Sequence, residues 1–172
     1  DPDPEPLFIL VSLSESATLI GIVVLIILLL CSALISGAEV AFSHLLFDLE
    51  LDEETTNQKT IRLVKSLLEK PKKLLATILV ANNTINIAIV LLFASIGETL
   101  LGGLKTTFWG VELRFLLEVV VITFLILMFG EILPKIYASR NRLAFASRMA
   151  LPLRFLDFIF TPLSAPMRSI TL

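Results

Sequence analysis

Two runs of this chain carry no charge and are each about as long as a membrane is thick. Residues 17–38 and residues 74–97 are free of Asp, Glu, Lys and Arg, and a helix needs about 20 apolar residues to cross the hydrocarbon. Inside lipid no water reaches the backbone, so such a segment must satisfy its own N–H and C=O groups, which for a single segment means an α-helix. A third run, residues 119–130, is shorter. It spans only if Glu118 and Lys135 sit near opposite interfaces. The chain is 56% hydrophobic and 17% charged, whereas a soluble domain is about 45–50% apolar and about 25% charged. The expected fold class is an all-α integral membrane protein with three transmembrane helices, at about residues 17–43, 74–98 and 115–137.

Charge between the spans sets an orientation. Residues 1–14 form an acidic, proline-rich tail without the basic start of a signal peptide. The stretch after the first span carries Lys59, Arg62, Lys65, Lys70, Lys72 and Lys73, with acids at Asp48, Glu50 and 52–54. The second loop carries only Lys105 and Arg114, and the segment after the third span carries Lys135, Arg140, Arg142, Arg148, Arg154 and Arg168. Basic loops stay cytoplasmic. The expected protein is therefore multi-pass in a bacterial-type inner or plasma membrane, N-terminus outside and C-terminus cytoplasmic. Two further segments read as amphipathic juxtamembrane helices on the cytoplasmic side. Residues 57–70 put Ile61, Val64 and Leu68 on one face and stop at Pro71. Residues 142–160 mix Leu143, Phe145, Met149, Leu153 and Phe155 with three arginines and Pro152, which suits a surface helix better than a fourth span. The transmembrane domain is thus expected over residues 15–160. Residues 161–172 read as the start of a linker to a further cytoplasmic domain. The net charge of −2 offers nothing to nucleic acid, and the lone Cys31 allows no internal disulfide.

Polar groups interrupt the spans in a pattern. At 100° per residue, Ser32, Ser36, Glu39 and Ser43 share one narrow stripe of the first span. Asn82 and Asn86 are four residues apart and share a face of the second, while Asn83 points away. The third span ends in Phe129-Gly130-Glu131-Ile132-Leu133-Pro134-Lys135. Pro134 lacks an N–H and clashes with the carbonyl of residue i−4, here Gly130, so it frees that carbonyl from the helix ladder. All three sets fall in the cytoplasmic half of the bilayer by helix rise. Hydroxyls, amides, a carbonyl and one carboxylate suit a hard divalent cation such as Mg2+, and there is no Cys/His cluster for zinc or copper. His44 reads as a surface residue at the membrane edge. Nothing resembles an enzyme's constellation: there is no Ser/His pair and no metal-hydrolase spacing.

Each residue also has a bland reading. Ser32/Ser36 and Ala33/Gly37 fit small-xxx-small helix packing, and asparagines can glue helices together. Glu39 can snorkel or pair with a base, and Glu131 can pair with Lys135 at i+4. A small-residue face together with a wet pocket predicts a two-fold homodimer.

Three stretches, Ser32 to Glu39, Ala81 to Asn86 and Phe129 to Lys135, resemble the signature segments of the cyclin M / CorC (CorB/CorC-type) transmembrane domain. The resemblance covers nearly the whole chain from Ala17. It implies three spanning helices, a juxtamembrane helix, a homodimer, and Mg2+ transport, outward and coupled to Na+. It also implies that Ser32, Ser36, Asn82, Asn86, the Gly130 carbonyl and Glu131 line the ion site, with Glu39 and Pro134 in support. Position 81 is Ala where the family commonly has Gly. Adenine nucleotide would act only through CBS domains, which lie outside this sequence. The competing reading is a membrane anchor or assembly factor whose polar core serves packing alone.

Overall fold

The computed structural model describes residues 6–47, 58–101, 103, 106–108 and 110–169, with side chains described only within 15–159. The tail residues 1–5, the acids of 48–54, Asn57, Lys105 and the final residues 170–172 lie outside the described residues.

The chain is helical almost throughout. Helix α1 is Pro6–Phe47 and α2 is Gln58–Leu68. Helix α3, Pro71–Leu101, begins on a proline whose missing N–H costs nothing in a first turn, and its first backbone bond runs from Leu74 N to Lys70 O at 3.0 Å. A short hairpin follows, strands β1 (Thr107–Phe108) and β2 (Val111–Glu112), paired antiparallel with Thr107 opposite Glu112. Gly110 turns that hairpin at φ 80, a left-handed conformation that suits glycine. The third apolar run is α4 (Leu113–Leu125), a seven-residue π-helical segment (Ile126–Ile132) and α5 (Leu133–Arg140). Helix α6 is Arg142–Ser169.

Three helices are long and apolar enough to cross a membrane: Glu15–Leu46, Pro71–Leu101 and Leu113–Arg140. The protein is thus an all-helical, multi-pass membrane protein apart from one two-residue-strand hairpin. Each span is longer than its charge-free core. A lipid-crossing run is bounded in sequence by charges, but the helix continues past them, because charged side chains at the interface are solvated.

Four details differ from expectation. Residues 6–14, read as tail, are already helix; nothing between the apolar stretch 7–13 and the first span breaks it. Residues 161–169, read as linker, continue α6 through Pro162 and Pro166. Proline removes one backbone bond and kinks a helix without having to end it. In α2 the fully buried face is Ile61, Val64 and Leu67, with Leu68 only half-buried. In α6 Phe145, Ala146, Met149, Ala150 and Leu153 are buried, whereas Phe155 faces out.

The interior falls into two parts. At the end where α2 and α6 lie, Ile35, Phe42, Val64, Ile78, Ala146 and Leu153 belong to one packed cluster drawn from α1, α2, α3, α5 and α6. At the hairpin end a thinner cluster is made by Leu25, Ile89, Ile96 and Ile122 from α1, α3 and α4.

Candidate cation site

The polar residues of the three spans meet where the two clusters join. Ser32 lies on α1, fully buried, one helical turn before Ser36, which is also fully buried. Asn82 and Asn86 lie on successive turns of α3, Asn82 9% exposed and Asn86 half-buried. The Ser32 hydroxyl donates to Asn86 Oδ1 at 2.8 Å and stands 3.5 Å from Asn82 Oδ1. A hydroxyl has one proton, so the shorter contact is the bond and the longer one an approach of two oxygens. Asn86 Nδ2 in turn donates to Glu131 Oε1 at 3.3 Å. A chain of polar contacts therefore runs from α1 through α3 to the third span.

The third span reaches this point through its π-helical segment. Leu133 N–H bonds the carbonyl of Met128, five residues back, and Pro134 has no N–H to offer the Phe129 or Gly130 carbonyl. A π-bulge in a helix recurs at functional sites, because it leaves backbone groups for other partners. Gly130 is buried, and a Cβ placed on it would lie 3.0 Å from Ser32 Oγ. A side chain there would press on the hydroxyl, so glycine lets the bulged backbone approach α1.

Ser36 Oγ is buried with no hydrogen-bond partner among the described residues. An unmet buried hydroxyl costs about 1–3 kcal/mol. Oxygens of Ser32, Asn82, Asn86 and Glu131 are thus joined by contacts, Ser36 lies one turn along α1, and all are hard donors of the kind divalent cations take. Among the described residues no three His, Cys, Asp or Glu side chains gather as a metal cluster; a site with a single carboxylate is of another kind. A crevice of about 360 Å3 lies near the hairpin end, between Glu15, Thr18, Ile22 and Thr99, and shares no residue with the polar cluster.

The bases of the third span are placed differently from one bland reading. Lys135 pairs with Glu39 of α1 at 3.1 Å instead of with Glu131 four residues before it. Glu131 is thus left to its contact with Asn86, and Glu39 ties α1 to α5 at the rim. His44 is exposed.

Three features escaped the sequence reading. Lys73 on α3 pairs with Asp157 on α6 at 2.8 Å, and Thr77 donates to the same carboxylate at 3.4 Å. Asp157 is an isolated acid in a basic helix, which was the available signal. The Phe145 ring lies on Gly37, where a Cβ would come within 2.5 Å of it, so α6 is seated against α1 by a glycine. Glu118, read as an interfacial group, is 8% exposed.

Residues 23–171 match the family described as the Cyclin M transmembrane N-terminal domain. The chain belongs to that family. It is also 34% identical over 143 residues to UPF0053 protein sll1254 of Synechocystis sp., covering 80% of this chain. The chain spans only 37% of that relative's length. The matched region takes in every residue of the polar cluster, so the cluster belongs to the family's own domain.

Proposed function

We propose that this chain is a Mg2+ carrier that holds the ion, largely stripped of water, among Ser32, Ser36, Asn82, Asn86, the Gly130 carbonyl and Glu131. The observation that carries this reading is the convergence of hard oxygens from three separate spans, with Ser36 Oγ, one helical turn along α1, buried and unpartnered. Mg2+ prefers oxygen ligands in a near-octahedral shell. Neutral oxygens alone repay lost hydration poorly, and Glu131 supplies the one negative charge. Pro134 serves by holding the backbone open at Gly130, and Glu39 by binding Lys135 away from Glu131.

Charge bias supports an orientation in which the hairpin end faces outside and α2 and α6 face the cytoplasm. In the proposed cycle Mg2+ moves outward, driven by Na+ entering. The carrier works as a two-fold homodimer, and adenine nucleotide regulates it through CBS domains elsewhere in the full protein.

The test is Mg2+ flux in proteoliposomes with and without an opposing Na+ gradient, on the native chain and on Glu131→Gln. That substitution keeps shape and removes charge. The expected result is flux at background and a Mg2+ affinity weaker by about 10–100-fold, since a hydrogen bond or ligand contact to a charged group is worth ~1.5–3 kcal/mol. Native flux and a native Mg2+-induced thermal shift in Glu131→Gln would overturn the assignment and favour an anchor whose polar core only packs.

A further inference from the structure

A part-buried ion pair lies at the hairpin end, far from the proposed ion site and unused by it. Glu118 is in the second turn of α4 and only 8% exposed. Its Oε1 accepts from Arg114 Nε, one turn earlier on the same helix, at 2.7 Å. Its carboxylate lies directly over Gly97 of α3. A Cβ at position 97 would contact Oε1 and Cδ closely and Cγ at 3.1 Å. Charged groups at membrane depth are costly and are kept where they act.

The neighbour of Gly97 makes a matching contact on the other side. Ile96 packs onto Gly21 of α1, at 3.1 Å from where a Cβ would be. Two adjacent residues of α3 thus engage both flanking spans: residue 96 fills a glycine notch in α1, and residue 97 is the notch that receives Glu118 of α4. Below this clamp the cluster Leu25, Ile89, Ile96 and Ile122 fills the space between the same three helices. An ion leaving the Ser32–Asn86–Glu131 cluster toward the hairpin end has to pass between these helices. Apolar packing of this kind excludes a hydrated cation.

We propose that Glu118, neutralised by Arg114 and seated on Gly97, is the latch of a gate at the hairpin end, and that the apolar cluster beneath it is the barrier the latch holds shut. The inference rests on the carrier reading. An ion pair suits a latch. The Arg114 partner is on the same helix and travels with Glu118, so α4 can leave α3 without stranding a bare charge. What is lost on opening is the close seat on Gly97, with the weaker attraction of Arg114 to Glu98 of α3, and a single methyl at position 97 is enough to deny the seat.

Two arms test this in the full chain carrying Cys31→Ser. In the first, Leu25→Cys reports the barrier through its reaction with a membrane-impermeant maleimide added at the hairpin side. The reaction is expected to be slow in the otherwise native chain and several-fold faster with Glu118→Ala or Gly97→Ala. Equal rates in all three overturn the latch. In the second, Gly97→Cys with Glu118→Cys is oxidised to lock the seat. Flux is expected to fall to background and to return on reduction, with the Mg2+-induced thermal shift retained throughout. Flux that persists in the locked protein overturns the latch. A native chain with neither flux nor a Mg2+ shift defeats the carrier reading instead, and the labelling arm then decides the latch alone.

Discussion

The two ends of this bundle are built on different principles. At the α2/α6 end five helices close around Phe42, Val64, Ile78 and Leu153, and amphipathic helices shield the spans. At the hairpin end, among the described residues, α1, α3 and α4 meet, and their outward faces, with Ile20, Val23, Ile27, Leu91 and Val120, are left to lipid. Lipid tails are as apolar as leucine, so packing there gains little from the hydrophobic effect and relies on close fit, small residues and polar contacts. The contrast teaches where motion is cheap. The polar cluster lies between a thick, many-sided core and a thin three-helix seam with two glycine notches, which is why the seam is the part proposed to open.

Phe42→Ala should have the largest effect. Phe42 is fully buried in the thick core, and removing such a ring costs about 3–5 kcal/mol. Thermal unfolding in detergent checks it, and a loss no larger than that of a lipid-facing residue would end the distinction between the two ends. Ile122→Ala in the thin seam should cost less, about 2 kcal/mol, the low end for an isoleucine truncation, because fewer helices pack around it. The same unfolding assay with Leu153→Ala alongside sharpens the point: Leu153 should exceed Ile122.

Ser36→Ala sits at the boundary and should move two quantities in opposite directions. Removing an unpartnered buried hydroxyl should raise stability without Mg2+ by up to about 1 kcal/mol, while the extra stabilisation by Mg2+ shrinks. A Mg2+ titration of Tm separates the two, and loss of stability without Mg2+ would show that this hydroxyl has a structural partner. The smallest effect is expected for Lys73→Met. Its pair with Asp157 is about a quarter exposed on each side, and such pairs contribute about 1 kcal/mol or less. Comparison of unfolding at low and high salt measures it, and a salt-insensitive loss of several times that size would make the α3–α6 tie a core contact.

Much of the architecture was legible because membrane helices obey a local rule. Charge-free length locates the spans, and 100° per residue already puts Ser32 with Ser36 and Asn82 with Asn86. The face arithmetic for Asn83 agrees with its exposure. Other features depend on what lies across a gap. Glu131 and Lys135 have the spacing of an ion pair, yet Lys135 turns to Glu39, because α1 brings a second carboxylate within 3.1 Å. Glu118 looks interfacial from its place at the edge of an apolar run, and it is buried only because Gly97 admits it.

The sequence alone therefore determined that the chain crosses a membrane three times as helices and that each span carries one polar face, since backbone satisfaction in lipid and helical periodicity are properties of a segment. It also located Pro134, which denies an N–H to the carbonyls before it wherever the helix sits. Tertiary structure decided the rest: the π-helical turn that brings Gly130 against Ser32, the partners of Glu39 and Glu131, the two glycine notches around α3, and the seating of Phe145 on Gly37. These are contacts between helices. Their energies depend on distances of a few ångströms that are set when separate segments pack, and no periodicity within one segment encodes them.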